Sequence, residues 1–473
     1  MRKVSREEIL NGPVVRTMFF LGLPVMVSQL LFTFYNMADT FWLGHLPLSE
    51  SSGAVSGLQL AFPIIWFISS FILGFGFAGV ALVAQYTGAN DHEKANYAAA
   101  QILLFLTLAG VIVAVVGYFL MPLVARLITN SDKISSVAIS YMKVYVVGIP
   151  FLFISAAFQN ILSAKGDNVT PMQVTLATNM LNIVLDPFLI FGWWIFPRMT
   201  IVGAAIATVI AEALAGVLSL YFLFKGSRGI KITLKDLKID PEWFSQIFKI
   251  GFPAAIGNSA TSFGFLVLTG LIGRTENPEV ALSAYGIGDR AINVIFVVID
   301  GIGAAIVTMV GQNLGALNIK RTELIANTGI KLEFVITLVE SVIIFAMRNL
   351  IFEIFIPGNT AVIAEGSKFL TIFIFGLPFF GLFSAVSGVF RGSGHNVEPM
   401  IGDLLRLWGL RVPLSYILGK RFGSVGIWWG MSISNIVAGI AVYIMFTFGK
   451  WKKPVIKKGT EVIEENIVIT GRE

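Results

Sequence analysis

Twelve mainly apolar stretches divide this chain of 473 residues into two matching sets of six. Each is long enough to cross a lipid bilayer as a helix. The first set fills 15–224 and the second 245–447, and landmarks recur in the same order in both. Gly22-Leu23-Pro24 answers Gly251-Phe252-Pro253, and Gln85-x-x-Gly88-Ala89 answers Gln312-x-x-Gly315-Ala316. Gly148-x-Pro150 answers Gly376-x-Pro378, and Gly166-x-Asn168-Val169-x-Pro171 answers Gly394-x-Asn396-Val397-x-Pro399. Backbone polar groups find no water inside a bilayer, so such spans must be helices or strands of a closed barrel, and these lengths select helices. An even number of spans per half gives both halves the same orientation. The expected fold is therefore all-α: an integral membrane protein of two parallel six-helix repeats, the layout of transporters that rock two halves about a central site.

Only 13% of residues are charged and 56% are hydrophobic, which excludes an ordinary soluble domain. Helices are expected near 15–43, 53–87, 95–124, 137–164, 170–192 and 201–224, then near 245–273, 281–312, 322–352, 365–391, 396–420 and 424–447. The expected domains are 1–224, a polar linker at 225–243, a second half at 244–448 and a basic tail at 449–473. Arg2, Lys3, Arg6, the run Lys225–Lys238, Lys320, Arg321 and the tail lysines fall on one side of the membrane. Fewer basic residues fall on the other, so both termini are expected in the cytoplasm of a multi-pass cell-membrane protein. The net charge of +6 sits in these loops and is no nucleic-acid signal. The polar start, Met1 to Pro13, lacks the form of a cleavable signal peptide. There is no cysteine, no phosphate-binding G-x-x-x-x-G-K-[ST] loop and no metal-ligand spacing among His45, His92 and His395. An enzyme is not expected.

The halves differ in their acids. Asp39 on the first span corresponds to Leu268, and Asp186 on the fifth to Leu414. Neither acid has a Lys or Arg within a helical turn. A carboxylate placed in hydrocarbon costs roughly 2.5–3.5 kcal/mol on insertion scales. An acid kept there without a basic neighbour is suited to exchanging a proton or holding a cation. Tyr35 lies four residues before Asp39 and Asn182 four before Asp186, so each pair shares a helix face. The sixth span continues with Thr208 and Glu212. Pro24 interrupts the backbone bonding of the first span, fifteen residues before Asp39, and could pass a change at that acid into helix shape. Its counterpart Pro253 has no acid beyond it, which fits a fixed kink equally well. The charges of the second half read mainly as ion pairs, such as Asp403 with Arg406. Asp300 has no basic residue within a turn.

Together these landmarks resemble the multidrug and toxic compound extrusion family. The resemblance rests on the opening ILNGPVVRTMFFLGLPVMVSQL, on Tyr35-Asn36-Met37-Ala38-Asp39, and on Gln85-Tyr86-Thr87-Gly88-Ala89. It rests also on Asn182-x-x-x-Asp186-Pro187 and on Arg391-Gly392-Ser393-Gly394 with Pro399. It covers essentially the whole chain and implies a V-shaped pair of lobes that exports amphipathic, often cationic, compounds in exchange for protons or sodium. Absence of an acid from the seventh span and from the core of the tenth resembles the DinF-like branch, with coupling in the first lobe. The positions matching that lobe's site are Asn182, Asp186 and Thr208. With Asp39 they would form a sodium site or a hydrogen-bonded proton carrier. No other cofactor is implied, and a monomer is expected.

Candidate residues for the substrate cavity are Tyr141, Gln159 and Asn160 on the fourth span, Gln59 on the second, and Glu212 on the sixth. Aromatic and polar side chains also serve ordinary packing in a large membrane bundle. The rival reading is a flippase for a lipid-linked saccharide. Such a protein needs a basic cavity, for which Arg406 and Arg411 are available.

Overall fold

The computed structural model describes residues 2–128, 132–449 and 451–456, but not every side chain between 36 and 73 or between 126 and 134. Asp39 and Gln59 are among the side chains that lie outside the described residues. A short helix, α1 (Arg6–Asn11), leads into six long ones: α2 (Val14–Gly44), α3 (Leu48–Gly88), α4 (His92–Ile128), α5 (Asp132–Lys165), α6 (Val169–Phe191) and α7 (Thr200–Lys225). The second half begins with α8 (Pro241–Ile272), α9 (Pro278–Gly315) and α10 (Ile319–Phe355). It continues with α11 (Thr360–Phe373), α12 (Leu377–Ser393), α13 (Val397–Leu404), a π-helical segment (Leu405–Arg411) and α14 (Val412–Phe448).

Nine helices among the described residues are long and apolar enough to cross a membrane, or ten with α11 and α12 counted as one bent span. The 52 residues from Val397 to Phe448 would reach about 78 Å as one rod at about 1.5 Å per residue. A bilayer core is about 30 Å thick, so this stretch is two spans. They divide at Gly423, whose φ of 61° and ψ of −143° leave the helix. α10, 37 residues long and lying between α9 and α11, brings the helical stretches of bilayer length among the described residues to twelve.

The tenth span departs from the single helix expected over 365–391. α11 and α12 meet at a 50° bend. Pro378 lacks an N–H and its ring crowds the carbonyl four residues back, which favours a break at Gly376. The carbonyls of Ile372 and Phe373, which accept from the Phe375 and Gly376 amides, also accept the Ser432 hydroxyl, at 2.5 and 3.2 Å. The matching Gly148-x-Pro150 lies inside an unbroken α5, where Gly148 faces Val209 instead of a serine.

The two repeats make matching bonds. Asn168 donates to the carbonyl of Leu21 at 2.7 Å, and its counterpart Asn396 donates to that of Ile250 at 2.7 Å. Between halves, Gln85 reaches the Ser393 carbonyl at 3.1 Å and Gln312 reaches that of Ala164 at 2.7 Å. Close backbone approach requires glycine here. A Cβ on Gly88 would lie 1.9 Å from the Gln312 carbonyl oxygen, and one on Gly315 would lie 1.8 Å from that of Gln85. α1 sits on this seam. Arg6 donates to the carbonyls of Thr87 and Gly88, while Arg321 of α10 donates to those of Ile9 and Gly12. The halves are thus pressed together at the end that carries the N-terminus. Among the described residues, hydrogen bonds between them reach no further along α2 than Gln29, which donates to Asp300 at 3.0 Å. Beyond that point Leu30, Phe32 and Phe34 are exposed.

The linker is ordered. Gln101 of α4 donates to the carbonyls of Asp236 and Lys238, and Tyr97 donates to Asp240. Asp240 in turn caps the start of α8.

Candidate functional site

α6 buries a stripe at four-residue spacing: Val174, Thr178, Asn182, Asp186 and Ile190. That spacing keeps one face turned inward, toward α2 and α7. The approach of α7 is set by small residues. A Cβ on Gly203 would lie 2.4 Å from the Leu189 carbonyl oxygen, and Ala204, Ala207 and Ala211 continue the close face. Thr208 therefore enters the interior rather than facing lipid, and is 2% exposed. Its hydroxyl donates to the Ala204 carbonyl at 3.0 Å and stands 3.3 Å from the Tyr35 hydroxyl of α2.

Asn182 and Asp186 are completely buried. Neither polar atom of the Asn182 side chain makes a hydrogen bond among the described residues. A buried amide without a partner costs about 1–3 kcal/mol, so this group is available to a ligand at little further cost. Carboxylate, hydroxyl and amide oxygens are hard donors, fit for a proton or an alkali cation rather than a thiolate- or imidazole-seeking metal. Trp42, Phe188, Phe191 and Trp193 pack at the far end of this half, with Phe191 and Trp193 stacked at 5.7 Å. Asp39 lies one turn beyond Tyr35 along α2, but its side chain is outside the described residues, as is that of Gln59.

α2 is continuous through Pro24, whose carbonyl accepts the Ser28 hydroxyl at 3.0 Å. Glu212 is half-buried one turn beyond Thr208. The structure thus brings Tyr35 to Thr208 and places Asn182 and Asp186 on the face packed against their helices. The α5 residues stand apart. Tyr141 is buried and stacked on Tyr145 at 5.9 Å. Gln159 is exposed, and Asn160 donates to the Ala156 carbonyl at 2.8 Å.

In the second half, Leu268 is fully buried where the first half has Asp39 in sequence. One interior acid was not singled out from the sequence: Glu333 on α10 is completely buried. Neither of its carboxyl oxygens makes a hydrogen bond among the described residues. A Cβ on Gly303 would lie 3.8 Å from both Glu333 Oε1 and Ser384 Oγ, so α9, α10 and α12 converge there. The available signal was an acid inside the expected 322–352 span, between Leu332 and Phe334. Asp403 and Arg406 pair at 3.2 Å, as their three-residue spacing suggests.

The MatE family profile matches residues 24–188 and 253–417, one match in each half. The chain is 31% identical over 441 residues to a probable multidrug resistance protein NorM of Thermotoga maritima, covering 92% of each chain. It is 24% identical to the multidrug export protein MepA of Staphylococcus aureus, covering 92% of this chain and 94% of that one. Among solved structures, a MATE transporter in the bent conformation superposes with a TM-score of 0.86 at 24% identity, over 94% of this chain and 98% of the other.

Proposed function

The chain belongs to the MatE family of membrane transporters, and from that premise we propose that it exports amphipathic or cationic compounds in exchange for protons or sodium, coupled through the acids of its first half. The relatives named as multidrug resistance and export proteins support the export reading. The coupling reading rests on one observation: Asn182, Asp186 and Thr208 are buried on the packed faces of α6 and α7, with Tyr35 against Thr208.

Basic residues concentrate at the end bearing the termini and the linker, so we place that end in the cytoplasm. On that placement the seam between halves is closed on the inside, which supports reading the chain as outward-facing. In that state a proton or sodium ion from outside binds at Asp186 and Asp39 with Asn182 and Thr208. Neutralising the acids weakens retention of a cationic compound, which leaves outward. Return to the inward state releases the ion and restores the charges. Such a cycle requires the ion and the compound to bind the two states differently, and the acids supply that difference.

The test is efflux of a fluorescent cation from proteoliposomes under proton and sodium gradients imposed one at a time. Export driven by one gradient names the coupling ion. Absence of gradient-driven export under both overturns the proposal. A lipid-linked saccharide flippase is the weaker reading. Its candidate basic residues, Arg406 and Arg411, border a cavity of about 120 Å³. Arg406 is already neutralised by Asp403 at 3.2 Å, which leaves one of the two for a pyrophosphate.

A further inference from the structure

The two halves carry opposite charge on matching spans, at positions that do not coincide. Counting from the match of Pro171 with Pro399, Arg406 stands where the first half has Thr178, and Arg411 where it has Ile183, just before Asp186. Both arginines face inward, with 5% and 2% of their surface exposed. On an α-helix, residues five apart point about 140° away from each other, at about 100° per residue. The π-helical segment Leu405–Arg411 widens the turn and brings both to the inner side. Its cause is visible in the sequence: Pro413 cannot donate to the Gly409 carbonyl and crowds it. Trp408 pins the segment by donating to the Ala260 carbonyl at 3.0 Å and stacking on Phe263.

The two arginines differ in their partners. Arg406 pairs with Asp403 and lies 5.1 Å from the ring centres of Phe380 and Phe383. Arg411 has only neutral acceptors: Nε donates to Ser434 at 3.0 Å and one terminal nitrogen donates to Asn435 at 2.5 Å. Its other terminal nitrogen makes no bond, and no carboxylate lies within 4 Å of the guanidinium among the described residues. Asp289 on the same cavity is its counter-charge, across a gap of more than 4 Å, and a buried cation without a closer one is costly. Arg411 lines the cavity of about 120 Å³ between α8, α9, α11, α12 and α14. Phe369, Phe373 and Phe380 form apolar walls, and Asp289 stands elsewhere on the lining, bonded to Asn293 at 3.1 Å. Thr261, Phe265 and Asp289 are only partly buried, so the cavity is not sealed.

We propose that this cavity is a subsite for the acidic group of a transported compound, taking a planar aromatic carboxylate against Arg411 between the phenylalanine walls. The inference rests on the export reading and extends it: the first half attends to the coupling ion, while the second selects compounds that also carry a carboxylate. A guanidinium offers a carboxylate a charge-assisted hydrogen bond in a place from which water is largely excluded. The volume suits a benzoate-sized group, with the rest of the compound outside it. Asp289 opposes the anion from the same cavity, which gives the proposal a variant of opposite sign.

The experiment compares two probes on the full-length protein in proteoliposomes: a xanthylium dye bearing a free benzoate, and its methyl ester. Binding is read by fluorescence anisotropy and transport by gradient-driven efflux. Arg411→Gln is expected to weaken binding of the acid about tenfold or more, as for loss of a charged hydrogen-bond partner, and to leave the ester within about twofold. Asp289→Asn is expected to tighten the acid and leave the ester unchanged. The proposal is overturned if both dyes weaken equally in Arg411→Gln, if neither changes, or if Asp289→Asn fails to favour the acid. Transport of the ester by the unaltered protein separates this outcome from failure of the export reading: a protein that moves neither dye fails as an exporter, whereas one that moves the ester with no preference altered by Arg411 lacks only the subsite.

Discussion

The Tyr35 hydroxyl of α2 lies 3.3 Å from the Thr208 hydroxyl of α7, joining the first and sixth spans of the first half at the level of its buried polar side chains. Thr208 also donates to its own helix at the Ala204 carbonyl. Tyr35→Phe removes the Tyr35–Thr208 bond and keeps the ring. Ion affinity should fall about fivefold, the equivalent of about 1 kcal/mol for one neutral hydrogen bond, with little loss of thermal stability. Ion titration of purified protein checks this; unchanged affinity would show that the contact is only packing.

Asp186→Asn should abolish ion-driven export while leaving the fold intact, since the amide preserves shape and removes the ionisable group. Asp39→Asn should act alike. Drug-resistance assays on variants expressed at normal level decide the matter, and resistance equal to that of the unaltered protein from either variant contradicts the assignment.

Much of the fold was legible because hydrocarbon leaves the backbone few choices: twelve apolar spans and a repeated set of glycines and prolines imply paired helical bundles. The broken tenth span was not legible. Gly148-x-Pro150 and Gly376-x-Pro378 read alike, yet only the second breaks the helix, where Ser432 on a helix distant in sequence donates to the carbonyls of Ile372 and Phe373. In the site, the four-residue spacing of Asn182 and Asp186 sufficed to put them on one face. The Tyr35–Thr208 contact joins α2 to α7 across 173 residues of sequence, a pairing that no helical spacing gives. Arg411 entered the sequence reading only as a basic residue available to a flippase cavity, because its inward direction depends on a π-helical turn that helical periodicity does not anticipate. Glu333 passed unnoticed between apolar neighbours.

Glu333→Gln tests whether the second half holds an essential coupling acid. The side chain is buried beside Ser384, and an amide matches a protonated carboxyl in shape. The account expects gradient-driven export within about threefold of the unaltered rate, and Asp300→Asn to behave likewise, since Asn can still accept from Gln29. If either variant binds drug normally yet loses ion-driven efflux at normal expression, coupling extends into the second half.

Gly88→Ala should disfavour the state with the halves closed at the terminus-bearing end, because the added methyl would meet the Gln312 carbonyl oxygen at 1.9 Å. The chain contains no cysteine, so a single introduced cysteine reports directly. A cysteine at Ser163, beside Thr308 on the seam, should be labelled slowly in the parent and at least several-fold faster with Gly88→Ala. Equal labelling rates would show that the seam tolerates the methyl by local adjustment.

The most direct measurement of the central claim is efflux of a fluorescent cation from proteoliposomes containing the unaltered protein or Asp186→Asn, under a proton gradient alone and a sodium gradient alone. The account expects one of the two gradients to drive efflux in the unaltered protein, and neither to drive it in Asp186→Asn, while dye binding in that variant persists. Gradient-driven efflux of undiminished rate in Asp186→Asn would contradict coupling through the acids of the first half.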